Sequence, residues 1–275
     1  ILQFGIAIIL IIATIVVRKQ IDHAGQREIG YNSSQLIEIF MEGDIGKNYE
    51  AIKSELINKG IATAVTRSGS SVTGNAGSTW GGISWQGSTP EQEKKIGFDV
   101  GRTESDLVKT LGLKLVAGRD IDYARLPADS TAILLNEAAI KEMNLKNPIG
   151  TYFKWGSNTF TIVGVINDYI SGSPYSPVTP LLIYATKESL YNLIIRTNPT
   201  SPVQDQLKQI EQILKKFNPA YPFEYQFVDQ KFASKFRAQQ QTAQLAFIFS
   251  GLAIFISCLG LFGLASYIAE LRTKE

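Results

Sequence analysis

The feature that most constrains this chain is a long uncharged run near its carboxyl end. No Asp, Glu, Lys or Arg occurs in residues 238–269. The apolar core of the run, residues 245–267, would form a helix of roughly 34 Å at about 1.5 Å per residue. The hydrocarbon core of a bilayer is about 30 Å thick. We therefore predict a membrane-spanning helix over residues 243–268.

A second uncharged run opens the chain. In residues 1–17 the only strongly polar member is Gln3, and the run stops at Arg18 and Lys19. This pattern predicts a second transmembrane helix over residues 1–17. A signal peptide is the alternative, but no basic region precedes the run and no small-residue cleavage site follows it. Because the chain opens inside this run without an initiator Met, we expect it to be an excerpt from a longer membrane protein.

Between the two runs, residues 18–240 have the composition of an ordinary globular region, long enough for one large domain or two small ones. The chain carries 27 basic and 25 acidic side chains. It has no basic arm or stripe, so we predict no nucleic-acid partner. Basic residues flank both membrane runs, so charge alone leaves the side of the membrane open.

Groups that could support catalysis or bind a metal are scarce. His23 is the only histidine, so a Ser-His-Asp triad or a multi-histidine metal site would depend on one ring beside a membrane boundary. Cys258 is the only cysteine and lies in the predicted membrane helix, which excludes a thiolate zinc site from the soluble region. The acidic residues are scattered and nominate no carboxylate pair. We predict that the protein is not an enzyme and has no catalytic, cofactor-binding or metal-binding residues.

The soluble region begins and ends with the same pattern of strand, helix and strand. The first unit has β-type runs at 35–41 and 61–66 around a helix that Asp44 would cap. The second has runs at 190–196 and 222–228 around a helix that would open with a capping box at Ser201 and Pro202. Two such units can pair into a four-stranded sheet with both helices on one face. We call this ferredoxin-like split βαβ arrangement the βαβ lobe, residues 34–68 and 189–229.

A strand-rich insertion separates the two units. Residues 95–100, 114–116, 131–135 and 160–166 read as strands. Residues 103–111 and 136–145 read as short helices, each opening on a capping residue. We call residues 83–185 the inserted lobe. The predicted fold class is α+β, with two lobes flanked by two transmembrane helices.

A glycine-rich stretch, residues 68–82, lies between the lobes. Gly69 and Gly74 have the spacing of a phosphate loop, but Asn75 and Ala76 stand where Lys and Ser or Thr are needed. We therefore predict a mobile connecting loop and no nucleotide site. Two tryptophans at its far end either pack on the inserted lobe or contact a partner protein, and packing is favoured because buried aromatics are commoner. These two residues are Trp80 and Trp85.

Two further local patterns lead to predictions. Asp168 opens a proline-rich loop over residues 169–180 and is expected to bond its own backbone. In the predicted membrane helix, Ala253, Ser257 and Gly260 share one face, where another helix could approach closely. Residues 230–267 lack a helix breaker, so we expect one continuous helix that passes movement of the soluble region into the membrane.

Several stretches resemble a known family. Residues 98–120, which end in an Ala-Gly-Arg-Asp turn, are similar to the core motif of MacB-like permeases. Residues 134–139, 147–153 and 161–168 are similar to further blocks of the same domain, in the same order. Residues 251–275 resemble an FtsX-like permease helix and the start of its coupling segment, and residues 3–10 resemble the start of the second half of two-half Bacteroidetes-type members. The resemblance covers nearly the whole chain.

The resemblance implies the permease segment of an ABC transporter in a multi-pass bacterial inner membrane. The central domain, residues 18–240, would lie in the periplasm, and residues 269–275, with Arg272 and Lys274, would begin a cytoplasmic segment. The expected partners are a separate cytoplasmic ABC ATPase subunit, the lipid bilayer, and further transmembrane helices of the same protein or of a dimer mate, with a periplasmic adaptor as an optional addition. The expected roles are efflux, lipoprotein release or mechanotransmission.

A second class of protein has the same layout. An extracytoplasmic sensory domain of a transmembrane signalling receptor also lies between two membrane helices. The continuation of the chain distinguishes the two, because a receptor needs a linker to an output domain such as a kinase. A permease needs basic coupling residues and further membrane spans.

Overall fold

The computed structural model describes residues 2–74 and 78–273. These form two compact units: Glu28–Phe232, and Ile1–Arg27 together with Ala233–Glu275. The helices are α1 (Leu2–Gln26), α2 (Tyr49–Asn58), α3 (Pro90–Lys95), α4 (Leu107–Leu111), α5 (Glu137–Met143), α6 (Val203–Phe217), α7 (Val228–Ser234) and α8 (Arg237–Thr273).

The strands of the larger unit belong to one mixed sheet. They are β1 (Leu36–Phe40), β2 (Ala62–Ser68), β3 (Thr79–Trp80), β4 (Ser84–Trp85), β5 (Phe98–Thr103), β6 (Leu115–Gly118), β7 (Ala132–Asn136), β8 (Tyr152–Trp155), β9 (Asn158–Ile166), β10 (Leu181–Ala185), β11 (Asn192–Thr197) and β12 (Gln226–Phe227). Their order is β12-β1-β11-β2-β5-β10-β7-β9-β8-β4, with β3 beside β5 and β6 beside β9.

The βαβ lobe occupies one end of this sheet. Its strands run in the order β12-β1-β11-β2 with antiparallel neighbours. This is the arrangement that the two strand–helix–strand units predict. Helices α2 and α6 cover one face, because their apolar stripes pack on β1, β2 and β11 in a single core. Ile52, Leu56 and Ile210 are fully buried there.

The inserted lobe continues the same sheet instead of forming a separate one. Its strands β5 and β10, and likewise β7 and β9, pair in parallel, so the sheet is mixed. The step from β2 to β5 consists of one register pair, Ser68 with Thr103. Ser68 also pairs with Asn192 of β11, so the chain leaves and re-enters the βαβ lobe at one paired position. A second core fills the inserted lobe around Phe98, Phe153 and Ile133.

Several predicted boundaries are wrong for identifiable reasons. Helix α2 begins at Tyr49, because Asp44 lies in a preceding turn and pairs with Lys47. Helix α6 begins at Val203 as predicted, but Pro202 is its N-cap and supplies no side-chain hydrogen bond, so the capping box is absent. Helix α4 begins only at Leu107, since the strand β5 runs through Thr103.

Other local expectations differ in extent. Strand β12 has two residues where seven were expected, because 221–225 leave the sheet. Strands β8 and β10 were not predicted. The cap of α5 is confirmed, since the Asn136 side chain accepts a hydrogen bond from the amide of Ala139 at 3.0 Å.

The smaller unit is a pair of long helices. Helix α1 continues past the predicted end at Val17 to Gln26. Within α8, Gln240–Ala269 is the one span of the described residues that is long and apolar enough to cross a membrane. The two helices contact each other, and the hydroxyls of Thr14 and Ser250 are hydrogen-bonded at 3.1 Å. The continuous helix expected over 230–267 is interrupted, since α7 ends at Ser234 and α8 begins at Arg237.

Candidate functional site

The three small residues predicted to face another helix differ in exposure. Ser257 is 4 % exposed, and its hydroxyl donates to the carbonyl of Ala253 at 2.8 Å. Ala253 is half-buried and Gly260 is exposed. The buried hydroxyls of Ser250 and Ser257 each bond a carbonyl of the preceding turn. A helix interface formed by all three predicted residues stays a prediction.

The two tryptophans have structural neighbours inside the inserted lobe. Trp85 is 3 % exposed and lies against Phe98, with ring centroids 6.4 Å apart. Trp80 is half-buried and stacks on Trp155 with centroids 4.0 Å apart. Trp85 is therefore not presented on the surface of this unit. The side chain of Trp80 is held by stacking. A contact of either tryptophan with a partner protein stays a prediction.

The remaining predicted positions lie in the helical unit. The backbone of Arg272 belongs to α8, and nothing is described of its side chain, while Lys274 lies outside the described residues. His23 lies on an exposed face of α1. Among residues 2–74 and 78–273, no group of three or more His, Cys, Asp or Glu side chains could hold a metal ion.

The structure draws attention instead to the junction between the two lobes. Arg67 of β2 donates from Nε to Oε2 of Glu104 at 2.7 Å. The side chains are 13 % and 3 % exposed, so this ion pair is almost fully removed from water. The Arg67 guanidinium also lies 4.5 Å from the ring centroid of Tyr49. Charges so deeply buried are tolerated only when they are paired. The βαβ lobe supplies the guanidinium of Arg67, and the inserted lobe supplies the carboxylate of Glu104.

Hydroxyl groups continue the junction beside this ion pair. Thr66 donates to the carbonyl of Ser105 at 2.6 Å, and Thr103 donates to the carbonyl of Arg67 at 3.2 Å. Both threonines are fully buried. A second ion pair, Lys53 to Asp106 at 2.7 Å, lies at the edge. The single backbone register pair between β2 and β5 is therefore reinforced by side chains from both lobes.

A separate set of contacts fixes the entry segment, residues 28–35, which follows α1. Arg196 of β11 donates to the carbonyls of Asn32, Ser34 and Thr110 at 2.7, 3.1 and 2.7 Å. Asn167 donates to the carbonyl of Gly30 at 2.7 Å. Gly30 has a φ of +80°, and a Cβ there would lie 2.1 Å from the carbonyl oxygen of Asp168. The entry segment therefore lies directly against the inserted lobe.

The exit from the larger unit is fixed differently. Lys231 of α7 pairs with Glu38 of β1 at 3.3 Å. Glu38 is 4 % exposed and also accepts hydrogen bonds from the Ser71 hydroxyl at 2.9 Å and from the Val72 amide at 3.3 Å. The start of the glycine-rich stretch is thus anchored by Glu38, and Val72 is buried in the core between the lobes. Residues 75–77 of that predicted mobile loop lie outside the described residues.

The Ala-Gly-Arg-Asp turn that carries the family resemblance is built around two carboxylates. Arg119 binds Asp129 with two hydrogen bonds, at 2.7 and 2.6 Å, which hold the pKa of Asp129 below its usual value. Asp120 accepts from the amides of Val108 and Ile121 at 2.9 and 2.8 Å, so it binds the start of α4. Burial raises the pKa of Asp120 to about 6, against the opposing effect of these amides.

The raised pKa of Asp120 predicts a pH dependence of stability. In the unfolded chain, the Asp120 carboxyl has a pKa of about 3.9. The stability contributed by protonated Asp120 is therefore fully present below about pH 4 and is lost as the pH rises through about 6. Asp120→Asn should remove this loss of stability with rising pH. The measurement is thermal unfolding of the full chain at several pH values between 4 and 7. The exposed control Asp229→Asn should leave the slope unchanged, and an unchanged slope in Asp120→Asn would contradict the assignment.

Asp168 does not bond its own backbone as expected. Its Oδ1 accepts from the amide of Ala138 at 2.9 Å, in the first turn of α5. A carboxylate is favoured at a helix amino terminus, where amides lack partners. Asp168 therefore joins the proline-rich loop to α5.

Sequence reasoning missed the residues of the junction. Arg67 directly follows the predicted strand 61–66, whereas the observed strand β2 continues through it to Ser68. A charge within a strand requires a buried partner or an edge position. Its partner Glu104 lies 37 residues away and follows a different strand, so no spacing rule connects them.

Comparisons with known proteins agree with this architecture. The MacB-like periplasmic core domain model matches residues 3–213. Among solved structures, the periplasmic region of MacB from Actinobacillus actinomycetemcomitans is similar with a TM-score of 0.50 and 14 % identity, covering 77 % of this chain and 97 % of that one. The extracellular domain of the noncanonic ABC-type transporter YknZ from Gram-positive bacteria gives 0.45 and 13 %, covering 70 % and 97 %. No curated protein matches the chain in sequence.

At 14 % identity, the MacB structure establishes similarity of fold alone. The family model carries more, because it spans most of the chain, including the βαβ lobe up to α6, the junction and the inserted lobe. We conclude that the chain belongs to the MacB-like periplasmic core domain family, which forms the periplasmic part of ABC transporter permeases.

Proposed function

We propose that this chain is the part of an ABC transporter permease that converts ATP hydrolysis by a separate cytoplasmic subunit into movement of a periplasmic domain. The observation that carries the proposal is the family match over residues 3–213. The movement would serve efflux, lipoprotein release or the mechanical control of a partner. The family to which the chain belongs is a permease component and not an enzyme.

The membrane part of the proposal uses both long helices. The span Gln240–Ala269 has the length and composition to cross a bilayer. We propose that α1 crosses as well, because α1 has 25 residues and contacts α8 through Thr14 and Ser250. The protein would then be a multi-pass inner-membrane protein surrounded by lipid. Ala253, Ser257 and Gly260 would face further helices of the same protein or of a dimer mate.

The arrangement of the chain within the larger unit supports a lever mechanism. The entry segment that follows α1 is bound to the inserted lobe through Asn167 and to the βαβ lobe through Arg196. The exit through β12 and α7 is bound to the βαβ lobe through Glu38. The segment that follows α1 is therefore held by both lobes, whereas the exit toward α8 is held by the βαβ lobe. A displacement of one helix relative to the other would load the buried Arg67–Glu104 junction between the lobes.

Purification of the full-length parent protein in detergent, with an ATPase assay on what co-purifies, tests this function. We expect a stoichiometric ABC ATPase subunit. Charged contacts at the rim of an interface are worth a modest amount each, so Arg272→Ala with Lys274→Ala should lower the co-purified ATPase by about tenfold. Deletion of residues 272–275 together with the segment that follows should abolish it.

The matched control exchanges two basic residues at the other end of the chain. Arg18→Ala with Lys19→Ala should leave ATPase recovery unchanged. A parent protein with a kinase-like output domain and no ATPase partner would overturn the proposal and favour a signalling receptor. An equal loss of co-purified ATPase in both double variants would contradict the proposed coupling role of Arg272 and Lys274.

A further inference from the structure

A concavity lies on the βαβ lobe, away from the Arg67–Glu104 pair. It has a volume of about 700 Å³ and lies between the outer edge of β1 and residues 218–225. We call it the aromatic groove, after the side chains that line it: Phe40, Tyr221, Phe223 and Tyr225.

The floor of the aromatic groove is an unpaired strand edge. Strand β12 pairs only with Ile37 and Glu38, so the last two residues of β1 have no neighbouring strand on that side among the described residues. Met41 donates its amide to the carbonyl of Tyr191 on the β11 side. Because successive residues of a strand point their amides in opposite directions, the amide and carbonyl of Phe40 face the groove. An exposed edge of this kind is a template for another strand.

The walls of the groove offer aromatic surface to side chains of such a strand. Phe40 is 60 % exposed, although it ends a strand whose other residues are buried. Tyr221 and Tyr225 are also exposed, and Phe223 stacks on Tyr225 with ring centroids 5.1 Å apart. Large exposed aromatics clustered around a concavity are typical of interaction sites.

The wall is built into the fold and does not depend on a loose loop. Asn218 is 5 % exposed, accepts from the amide of Asp44 at 3.1 Å and donates to the carbonyl of Glu42 at 3.2 Å. Gly43 has a φ of +59°, and a Cβ there would lie 2.4 Å from Asn218 Oδ1 and 2.6 Å from the Tyr221 ring. The two loops can approach this closely only because residue 43 is glycine.

The charges that line the groove are unbalanced. Its two lysines are already paired, Lys215 with Glu211 at 2.7 Å and Lys231 with Glu38 at 3.3 Å. Glu42 and Glu224 are exposed, and no ion pair is found for either within the described part of the chain. The groove therefore presents two free carboxylates beside aromatic rings, which favour cationic side chains.

We propose that the aromatic groove binds an extended peptide segment of an external partner protein, added as a strand to the outer edge of β1. The segment carries Lys or Arg side chains that meet Glu42 and Glu224, alternating with apolar residues that pack on Phe40 and Tyr225. This mode of recognition obtains affinity from backbone hydrogen bonds and specificity from alternate side chains. The inference deepens the proposed function by defining the chemistry of a periplasmic partner, and it rests on that function only for the side of the membrane.

The unpaired backbone edge in the groove favours a protein over lipid as the occupant. The chain enters the sheet at Leu36 and leaves it at Phe227, which pairs with Ile37. Phe40 lies at the opposite end of β1, about 14 Å away at roughly 3.4 Å per residue. The groove extends from this end of β1 to Gln226 and Lys231 beside the exit, and it offers the unpaired backbone groups of Phe40 together with the carboxylates of Glu42 and Glu224, which suit a peptide and not lipid.

The test uses the full-length protein in lipid nanodiscs and a display library of random ten-residue peptides. We expect enriched peptides in which Lys or Arg alternates with apolar residues, relative to empty nanodiscs. A fluorescein-labelled copy of the most enriched peptide should bind saturably, as measured by anisotropy. Glu42→Gln with Glu224→Gln should weaken its binding by about tenfold, since exposed charge pairs contribute modestly. N-methylation of alternate peptide amides should abolish binding.

The matched control removes two exposed carboxylates from the inserted lobe. Glu91→Gln with Glu142→Gln should leave the affinity unchanged. No enrichment, enrichment without basic residues, or equal affinity for the Glu42 and Glu224 variant would each overturn the proposal. Recovery of the ATPase subunit with the same preparation is a separate measurement, so failure of the peptide site is distinguishable from failure of the transporter assignment.

Discussion

Replacing Glu104 with glutamine is expected to lower the free energy of unfolding by about 3–5 kcal/mol, because it leaves a buried charge without its partner. The Arg67 side chain is 13 % exposed, so water can replace little of the lost interaction with the carboxylate. The measurement is urea unfolding of the full chain in detergent, followed by tryptophan fluorescence. Of the three tryptophans, Trp85 and Trp155 lie in the inserted lobe and Trp80 stacks on Trp155, so the fluorescence reports on that lobe.

An exposed ion pair provides the control for this prediction. Lys215 and Glu211 are 59 % and 39 % exposed, so Glu211→Gln should change stability by less than about 1 kcal/mol. The double variant Glu104→Gln with Arg67→Met should lose less stability than the sum of the two single variants. The reason is that Arg67→Met removes the positive charge that Glu104→Gln leaves without a partner. A loss below about 1 kcal/mol in Glu104→Gln would contradict the role of this pair.

Replacing Gly118 with alanine is expected to cost about 4 kcal/mol, at the upper end for a single substitution. Gly118 has a φ of +73°, and a Cβ would lie 2.2 Å from the carbonyl oxygen of Val163 and 2.9 Å from the Cα of Gly164. Both contacts are to backbone of the neighbouring strand β9, so neither can rotate away. The change would separate β6 from β9 and displace Arg119 and Asp120 beside it.

Gly150 isolates the contribution of close packing from that of backbone conformation. It has a φ of +82°, but a Cβ there would meet nothing within 4 Å. Gly150→Ala should therefore cost only the conformational term of about 1–2 kcal/mol. The same urea unfolding measures both variants. Equal losses in the two would show that the approach of Val163 to residue 118 does not constrain the fold.

Periodicity predicted most of the regular elements from the sequence. The apolar stripe from Val203 to Phe217 predicted both ends of α6. Such a stripe is the face of an amphipathic helix that packs on the sheet, so the helix extends as far as the stripe does. The two strand–helix–strand units likewise predicted the order of the four strands in the βαβ lobe. The helix caps were less predictable. Asp44 pairs with Lys47 in the turn before α2, and Pro202 takes the N-cap position of α6 in place of Ser201. Asp168 binds the start of a helix, α5, that lies about 30 residues earlier in the chain.

Properties that depend on contacts between distant segments could not be predicted. Arg67 and Glu104 form an ion pair only because β2 and β5 become neighbours. The aromatic groove exists only because β12 stops after two residues, and nothing in the apolar run at 222–228 indicates where pairing ends. The burial of Trp85 and the exposure of Phe40 depend in the same way on the assembled sheet.

The pairing of Ser68 with Asn192 defines how the inserted lobe is connected to the rest of the sheet. Because these two residues face each other on adjacent antiparallel strands, a tight turn of a few residues could replace everything between them and leave a simple β-hairpin. Residues 69–191 are thus an insertion at the tip of one hairpin of a small module. The insertion and the module share one core, because Leu36 and Ile194 of the module pack with Leu107 and Ile183 of the insertion. Removal of residues 69–191 would expose to solvent the face of the sheet that carries Leu36 and Ile194.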